Sequence, residues 1–301
     1  YKIGNETRTA RAAGEVVLSS GAIGTPQILE LSGIGSGERL QQLGVTPVHH
    51  LPGVGENLQD HLQLRVIYKV SRGRTLNVDY QSLIKRGWMG VEYAFLRRGP
   101  MTMAPSQLGI FARSAPQYAT PNVQFHVQPL SLDKFGDPLH SFPAITMSVC
   151  NLRPTSRGSV HAVSRDAQTH PSIKPNYLST DADRQVAIDS IKLARQIAAA
   201  PALRGYEPQE YLPGANIQSD EDLAKAAGAV GTTIFHPVST AKMGIDSDPM
   251  AVVDERLRVR GVQGLRVADA SVMPTITSGN TNSPTMMIAE KAAMMMLQDA
   301  R

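Results

Sequence analysis

Between Leu62 and Val70, apolar Leu62, Leu64, Val66, Tyr68 and Val70 alternate with Gln63, Arg65 and Lys69. A period of two sends successive side chains to opposite sides of a pleated strand, so the pattern predicts a sheet with one packed and one solvated face. The alternation returns at Val123, Phe125 and Val127 and again at Ile145, Met147 and Val149, and a further short strand is expected at 158–163. Together these segments imply a mostly antiparallel sheet.

Helical text flanks them. Thr180 is followed by acidic residues and by Val186, Ser190, Ala194 and Ile197 beside Ala187, Ile191 and Ala198, which predicts a capped helix over 181–199. Asp220, Glu221 and Asp222 after Ser219 favour the positive end of a second helix. Near the start, 15–20 reads as a short buried strand stopped by Gly21. A helix is expected to follow, with Thr25 as N-cap, Pro26 at its first position, and Gly33 and Gly35 ending it. Near the end, Leu265–Ala268 reads as a strand closing on Asp269. A Gly/Asn/Thr/Ser loop at 277–283 then leads to a long helix with Pro284 at its first position. The run Met294-Met295-Met296 is read as helix packing rather than as a metal site.

Composition excludes several classes. With 301 residues, 42% hydrophobic and 19% charged, the chain is ordinary globular protein, longer than one compact domain needs. No apolar run reaches the ~18 residues of a membrane-spanning helix. The net charge of +4 is small and its basic residues are scattered, apart from short doublets such as Lys85-Arg86 and Arg97-Arg98, without a basic-aromatic tract, so nucleic acid is not an expected partner. A cytoplasmic chain is expected, with a membrane-peripheral position as the alternative. Cys150 is the sole cysteine and sits in an alternating apolar run, where a buried, inert thiol is expected. H-E-x-x-H, C-x-x-C and G-x-S-x-G do not occur, and His49, His50 and His61 have no neighbours to complete a metal site. His61 beside Asp60 reads as a local hydrogen-bonded pair. Gly33-Ile-Gly35-Ser-Gly37 lacks the last glycine of a dinucleotide loop and follows a helix, so it is read as a helix stop.

Three features bear chemistry. His236-Pro237 opens a loop of small residues ending at Gly244; a loop histidine alone is more often structural than functional. Ser278-Gly-Asn-Thr-Asn-Ser-Pro-Thr285 precedes a helix whose first N–H groups and dipole would stabilise an anion, or merely be capped by Asn and Ser. Asp269, at a strand end beside Ala270, could accept from ligand hydroxyls or backbone amides, or cap a turn.

The stretch from Gly21-Ala-Ile-Gly-Thr-Pro-Gln to Gly35 resembles the second signature of the glucose–methanol–choline (GMC) oxidoreductases. His236-Pro-Val-Ser-Thr-Ala-Lys-Met-Gly244 resembles that family's catalytic-histidine motif. Gly264-Leu-Arg-Val-Ala-Asp-Ala-Ser-Val-Met-Pro274, followed by 278–285, resembles its closing flavin-contact motif, and Gly53-Val-Gly-Glu-Asn-Leu-Gln-Asp-His61 and Arg98-Gly-Pro-Met-Thr102 also fit. The flavour is that of the choline-dehydrogenase-like bacterial branch. Family members carry a G-x-G-x-x-G strand–turn–helix and a first signature before this part. Neither occurs here, and the chain opens at Tyr1 in strand-like text. The expectation is therefore the C-terminal portion of a longer polypeptide.

The resemblance implies an α+β or α/β fold: part of a FAD-binding Rossmann-like domain at 1–61 and 231–301, and a substrate domain with a largely antiparallel sheet flanked by helices at 62–230. It implies oxidation of a small-molecule alcohol by hydride transfer to FAD, with oxygen or a quinone as electron acceptor. His236 takes the role of general base, and Asn280 hydrogen-bonds the same substrate oxygen. Asp269 and Ala270 would approach the phosphate-ribose region, Phe235 the ring, and Ser20, Gly21 and Ala22 the adenosine side. Thr281, Asn282 and Thr285 fall among the cofactor contacts where the last helix starts. Two alternatives stay open: a FAD-containing hydroxynitrile lyase of the same fold, and a non-catalytic fragment needing a partner N-terminal half.

Overall fold

The computed structural model describes residues 1–4, 6–104, 106–134 and 136–300. In chain order its elements begin with β1 (Lys2–Ile3), β2 (Glu6–Thr7), β3 (Val16–Leu18), α1 (Gly21–Leu31), β4 (Ile34–Gly35), α2 (Gly37–Gln42), β5 (His49–His50) and β6 (Leu62–Lys69). Next come α3 (Leu76–Gln81), α4 (Leu83–Leu96), β7 (Leu108–Ala112), β8 (Val123–Gln128), β9 (Ala144–Asn151), β10 (Ser159–His161), β11 (Ser172–Lys174) and α5 (Asp181–Ala198). The last are β12 (Gln209–Leu212), α6 (Asp220–Val230), β13 (Gly231–Thr233), β14 (Leu265–Val267) and α7 (Asn282–Asp299). Two compact units result, one of 1–60, 156–177 and 236–301, the other of 61–155 and 178–235. The mixture of helices with a largely antiparallel sheet is the α+β class. Among the described residues, no helix is long and apolar enough to cross a membrane.

In the second unit the alternating segments pair as a six-stranded antiparallel sheet, in the order β12-β6-β9-β8-β7 with β13 on the start of β6. Register places Leu64 opposite Val149 and Val66 opposite Met147. That face packs on α5 and α6 through Val186, Ile191, Ala194, Leu223 and Ala227. Each fully buried aliphatic side chain there contributes roughly 1.5–3 kcal/mol. Both helices begin as their caps predict: Thr180 Oγ1 accepts from Asp183 N at 3.2 Å, and Ser219 Oγ from Asp222 N at 3.1 Å. The other sheet face is not solvated as the alternation suggested. Gln63 and Arg65 are buried, along with Gln124, His126 and Ser148. The loop after β8 covers part of them, with Arg65 Nη2 donating to Leu132 O at 3.3 Å and Thr146 Oγ1 to Leu130 O at 2.7 Å. Cys150 is a buried thiol outside any disulfide, its Sγ 3.7 Å from Gln124 O.

In the first unit β3 and β14 pair in parallel, Val17 opposite Arg266, and α1 follows β3. The core gathers Leu29, Ile34, Val54, Val238, Val253, Val267 and Ile288. Helix α1 starts at Gly21 with Ser20 as N-cap residue, so Thr25 is not the N-cap and Pro26 lies inside the helix. A proline has no N–H to give the carbonyl four residues back. Ala22 O instead accepts the Thr240 hydroxyl at 2.7 Å. At the far end of α1, fully buried Glu30 accepts from Ala162 N at 2.7 Å and meets His161 Nδ1 at 2.8 Å, while Glu56 meets His161 Nε2 at 2.9 Å. Gly55 makes room for that histidine: at φ +81°, an added Cβ would fall 2.3 Å from Val160 O and 2.7 Å from His161 Nδ1. The last helix begins at Asn282, putting Pro284 third rather than first; its missing N–H still falls in the turn where no partner is needed. Of the methionine run, Met296 packs on the core, whereas Met294 is exposed.

Candidate active site

The histidine loop is built by pairing on both sides. Gln59 and Val238 exchange backbone hydrogen bonds of 3.2 and 2.9 Å, and Gly55 N donates to Thr240 O at 2.8 Å. On the opposite side Ser239, Ala241 and Met243 donate to the carbonyls of Ala270, Ser271 and Val272 at 3.2, 2.9 and 2.8 Å. Thus the segment 236–244 is zipped between the Gly-rich loop and the helical turn Ala270–Val272 that follows β14. Side chains complete the lock. Gln59 Nε2 donates to Pro274 O at 3.3 Å and its Oε1 accepts from Ile276 N at 3.1 Å, so one glutamine ties the histidine loop to the segment leading to Asn280.

His236 is half-buried. Its backbone N–H donates to Asp60 Oδ1 at 2.9 Å, and the Tyr177 hydroxyl bonds Asp60 Oδ2. Burial holds the imidazole below its ordinary pKa, opposed by the charge of Asp60. His61 Nε2, for its part, lies 3.3 Å from Leu152 O. Phe235, at the end of the second unit, is exposed with φ +64°, the left-handed region that bulky residues rarely enter. Its N–H donates to Thr233 Oγ1 at 2.8 Å.

Asn280 is exposed in the loop before α7, and Thr281, the N-cap residue, is buried. Thr281 makes no side-chain cap bond at this positive helix end. Asn282 is exposed at the first helical position, and Thr285 turns its hydroxyl back onto Thr281 O at 2.7 Å.

Asp269 is buried, and its carboxylate is committed within the chain. Oδ2 accepts from Gly21 N at 2.9 Å and from Thr25 Oγ1 at 2.6 Å, and Oδ1 accepts from Ser271 N at 2.8 Å. Thr25 Oγ1 in turn accepts from Ser20 N at 3.2 Å. Gly21 sits at φ +73° with open space where a Cβ would be. Ser20, Gly21, Ala22, Asp269 and Ala270 therefore meet as one junction of β3, α1 and β14, with the acid orienting backbone. The sequence pattern marked these residues as a group but not the bonds joining them. It read Asp60 only as a neighbour of His61, whereas the carboxylate takes His236 N and the Tyr177 hydroxyl, and it passed over Gln59, Tyr177 and Thr240.

Profiles of the N-terminal and C-terminal parts of GMC oxidoreductases match residues 2–63 and 154–289. The chain belongs to the GMC oxidoreductase family. It is 41% identical to oxygen-dependent choline dehydrogenase of Vibrio vulnificus, covering 99% of this chain and 53% of that protein. It is also 41% identical to an alcohol dehydrogenase [acceptor] of Pseudomonas putida, covering 93% of this chain and 50% of that one. A solved formate oxidase of Aspergillus oryzae matches with a TM-score of 0.88 at 26% identity, over 96% of this chain and 55% of its own. The chain thus spans about half the length of the relatives it matches.

Proposed function

We propose that this chain carries the base-bearing half of a FAD-dependent alcohol oxidoreductase, which takes a small-molecule alcohol to an aldehyde or ketone and passes electrons to oxygen or a quinone. The observation that carries the reading is His236, fixed through its backbone by Asp60 and kept below its ordinary pKa by burial. A neutral imidazole at neutral pH accepts the hydroxyl proton as the carbinol hydride leaves. Asn280 donates to the same oxygen, stabilising alkoxide character.

FAD, when bound, supplies the hydride acceptor. The residues fit an anionic, dinucleotide-type group, because α7 begins without a side-chain cap and the Ser20–Ala22 turn is pinned by Asp269. Thr281, Asn282 and Thr285 would border its ring system, and Phe235 would contact it. Backbone at Ser20, Gly21, Ala22 and Ala270 would approach its adenosine and phosphate groups, with Asp269 holding that backbone. The segments 1–61 and 231–301 would serve the cofactor and 62–230 the substrate, although 156–177 belongs to the first compact unit. A further N-terminal portion would complete the dinucleotide cradle, and the enzyme would work in the cytoplasm, with a membrane-peripheral position as the alternative.

The test mixes the purified chain with FAD, alone and with an N-terminal dinucleotide-binding portion, then adds a primary alcohol under anaerobic conditions. Loss of the yellow absorbance with aldehyde formation is expected. Cyanohydrin cleavage with unchanged absorbance would assign a lyase, and FAD binding by neither preparation would reject the reading.

A further inference from the structure

Helix α4 in the second unit turns an apolar face outward. Ile84, Trp88, Val91 and Phe95 recur at the spacing of one helix face, yet they are 86%, 65%, 46% and 82% exposed. Leu83 and Leu96 widen the face at its two ends. Met89 is the one buried residue of the helix. Beside Met89 opens a pocket of about 360 Å³, lined by Leu76, Tyr80, Met89, Pro100, Met101 and Leu139 among others. Gly87 and Gly90 lower the helix propensity, and no neighbour lies within 4 Å of where their Cβ atoms would be. Helices of this length are marginal in water without a packed face.

Charge says what the face fits. The stretch 72–98 holds Arg72, Arg74, Lys85, Arg86, Arg97 and Arg98 against Asp79 and Glu92, an excess equal to the +4 of the whole chain. Lys85 and Arg74 pair with Asp79, and Arg98 with Glu92. Among the described residues Arg86 and Arg97 meet no carboxylate and lie over the rings of Tyr80 and Tyr93. A protein partner with an apolar groove would not require that basic rim. An anionic bilayer surface takes both features: Trp, Phe and Ile seat at the headgroup boundary while Lys and Arg remain at the phosphates.

We propose that α4 is a lipid-surface helix, lying flat on anionic bilayers through Ile84, Trp88, Val91 and Phe95. The proposal deepens the membrane-peripheral part of the reading above and rests on it, but it is independent of the alcohol chemistry.

Trp88 is the chain's only tryptophan, so its emission reports on this face alone. The FAD-loaded protein is mixed with vesicles of phosphatidylcholine, with and without about one-third phosphatidylglycerol. A blue shift and co-sedimentation with the anionic vesicles, weakened by salt, are expected. Ile84→Ser with Phe95→Ser should lower partitioning at least about tenfold. Arg86→Glu with Arg97→Glu should lower it about fivefold for each lost cation. An unchanged thermal midpoint for these variants confirms that the fold is intact. Unmoved Trp88 emission with anionic vesicles, or equal partitioning of the variants, overturns the proposal. A concentration-dependent blue shift with dimer formation and no lipid overturns it in favour of a second copy. Flavin absorbance in the same samples reports separately on the cofactor, so either reading can fail alone.

Discussion

The backbone N–H of His236 donates to Asp60 Oδ1 at 2.9 Å, and the other oxygen of that carboxylate takes the Tyr177 hydroxyl. One buried acid therefore fixes the path of the histidine loop and also sets the field at the ring. Burial favours the neutral imidazole, and the Asp60 charge limits how far that goes.

Asp60→Asn keeps an oxygen to accept from His236 N but removes the charge, so the His236 pKa falls further. The base works unprotonated, so the acid limb of kcat/KM moves to lower pH in the variant. Stability follows with the same sign. A folded pKa below the ordinary 6.5 means that the unfolded chain binds the proton more readily, so stability drops as pH falls below 6.5, more steeply in the variant. An acid limb that moves up in pH would rule out this account of the Asp60–His236 pair.

Asp269→Ala strips partners from Gly21 N, Thr25 Oγ1 and Ser271 N at once. Hydrogen bonds to charged groups are worth more than neutral ones, and buried donors left without partners are costly, so a loss of about 2–4 kcal/mol is expected. Chemical denaturation measures it. Weakened FAD retention should accompany the loss because the Ser20–Ala22 turn is no longer pinned. Stability within about 0.5 kcal/mol of wild type would show that the carboxylate carries little of the junction.

Thr240→Val removes the donor that serves Ala22 O, the carbonyl orphaned by Pro26. The expected cost is about 1–3 kcal/mol. With Pro26→Ala present, a helical N–H becomes available to the same carbonyl, so Thr240→Val should cost less in that background. A double-mutant cycle should give coupling of at least about 0.5 kcal/mol. Strict additivity would mean that the two sites do not share the carbonyl.

Much of the fold is legible locally. The caps at Thr180 and Ser219 and the alternation in β6, β8 and β9 are short-range signals, and the elements follow them. The misreadings arise where distant residues decide. Pro26 reads as a helix start, yet α1 begins earlier because Asp269, 248 residues beyond Gly21, and Thr240 supply its missing partners. Gln63 and Arg65 read as solvent-facing, but both are buried, and a loop 67 residues on takes the Arg65 guanidinium. Helix α4 escapes a local reading because Gly87 and Gly90 interrupt it and its apolar face has no packed counterpart. In the site, motif text marks His236 and Asn280. The Asp60, Gln59 and Tyr177 contacts around the histidine loop need the folded chain, since they join segments far apart in sequence.

The central claim is that His236 takes the proton when alcohol reduces the bound flavin. Stopped-flow absorbance under anaerobic conditions, comparing His236→Ala with the parent protein at equal FAD loading, tests it most directly. The account predicts a flavin-reduction rate at least about a hundredfold lower, with the loss smallest at high pH, where the alcohol's own ionisation helps. A reduction rate close to that of the parent across the pH range would contradict it.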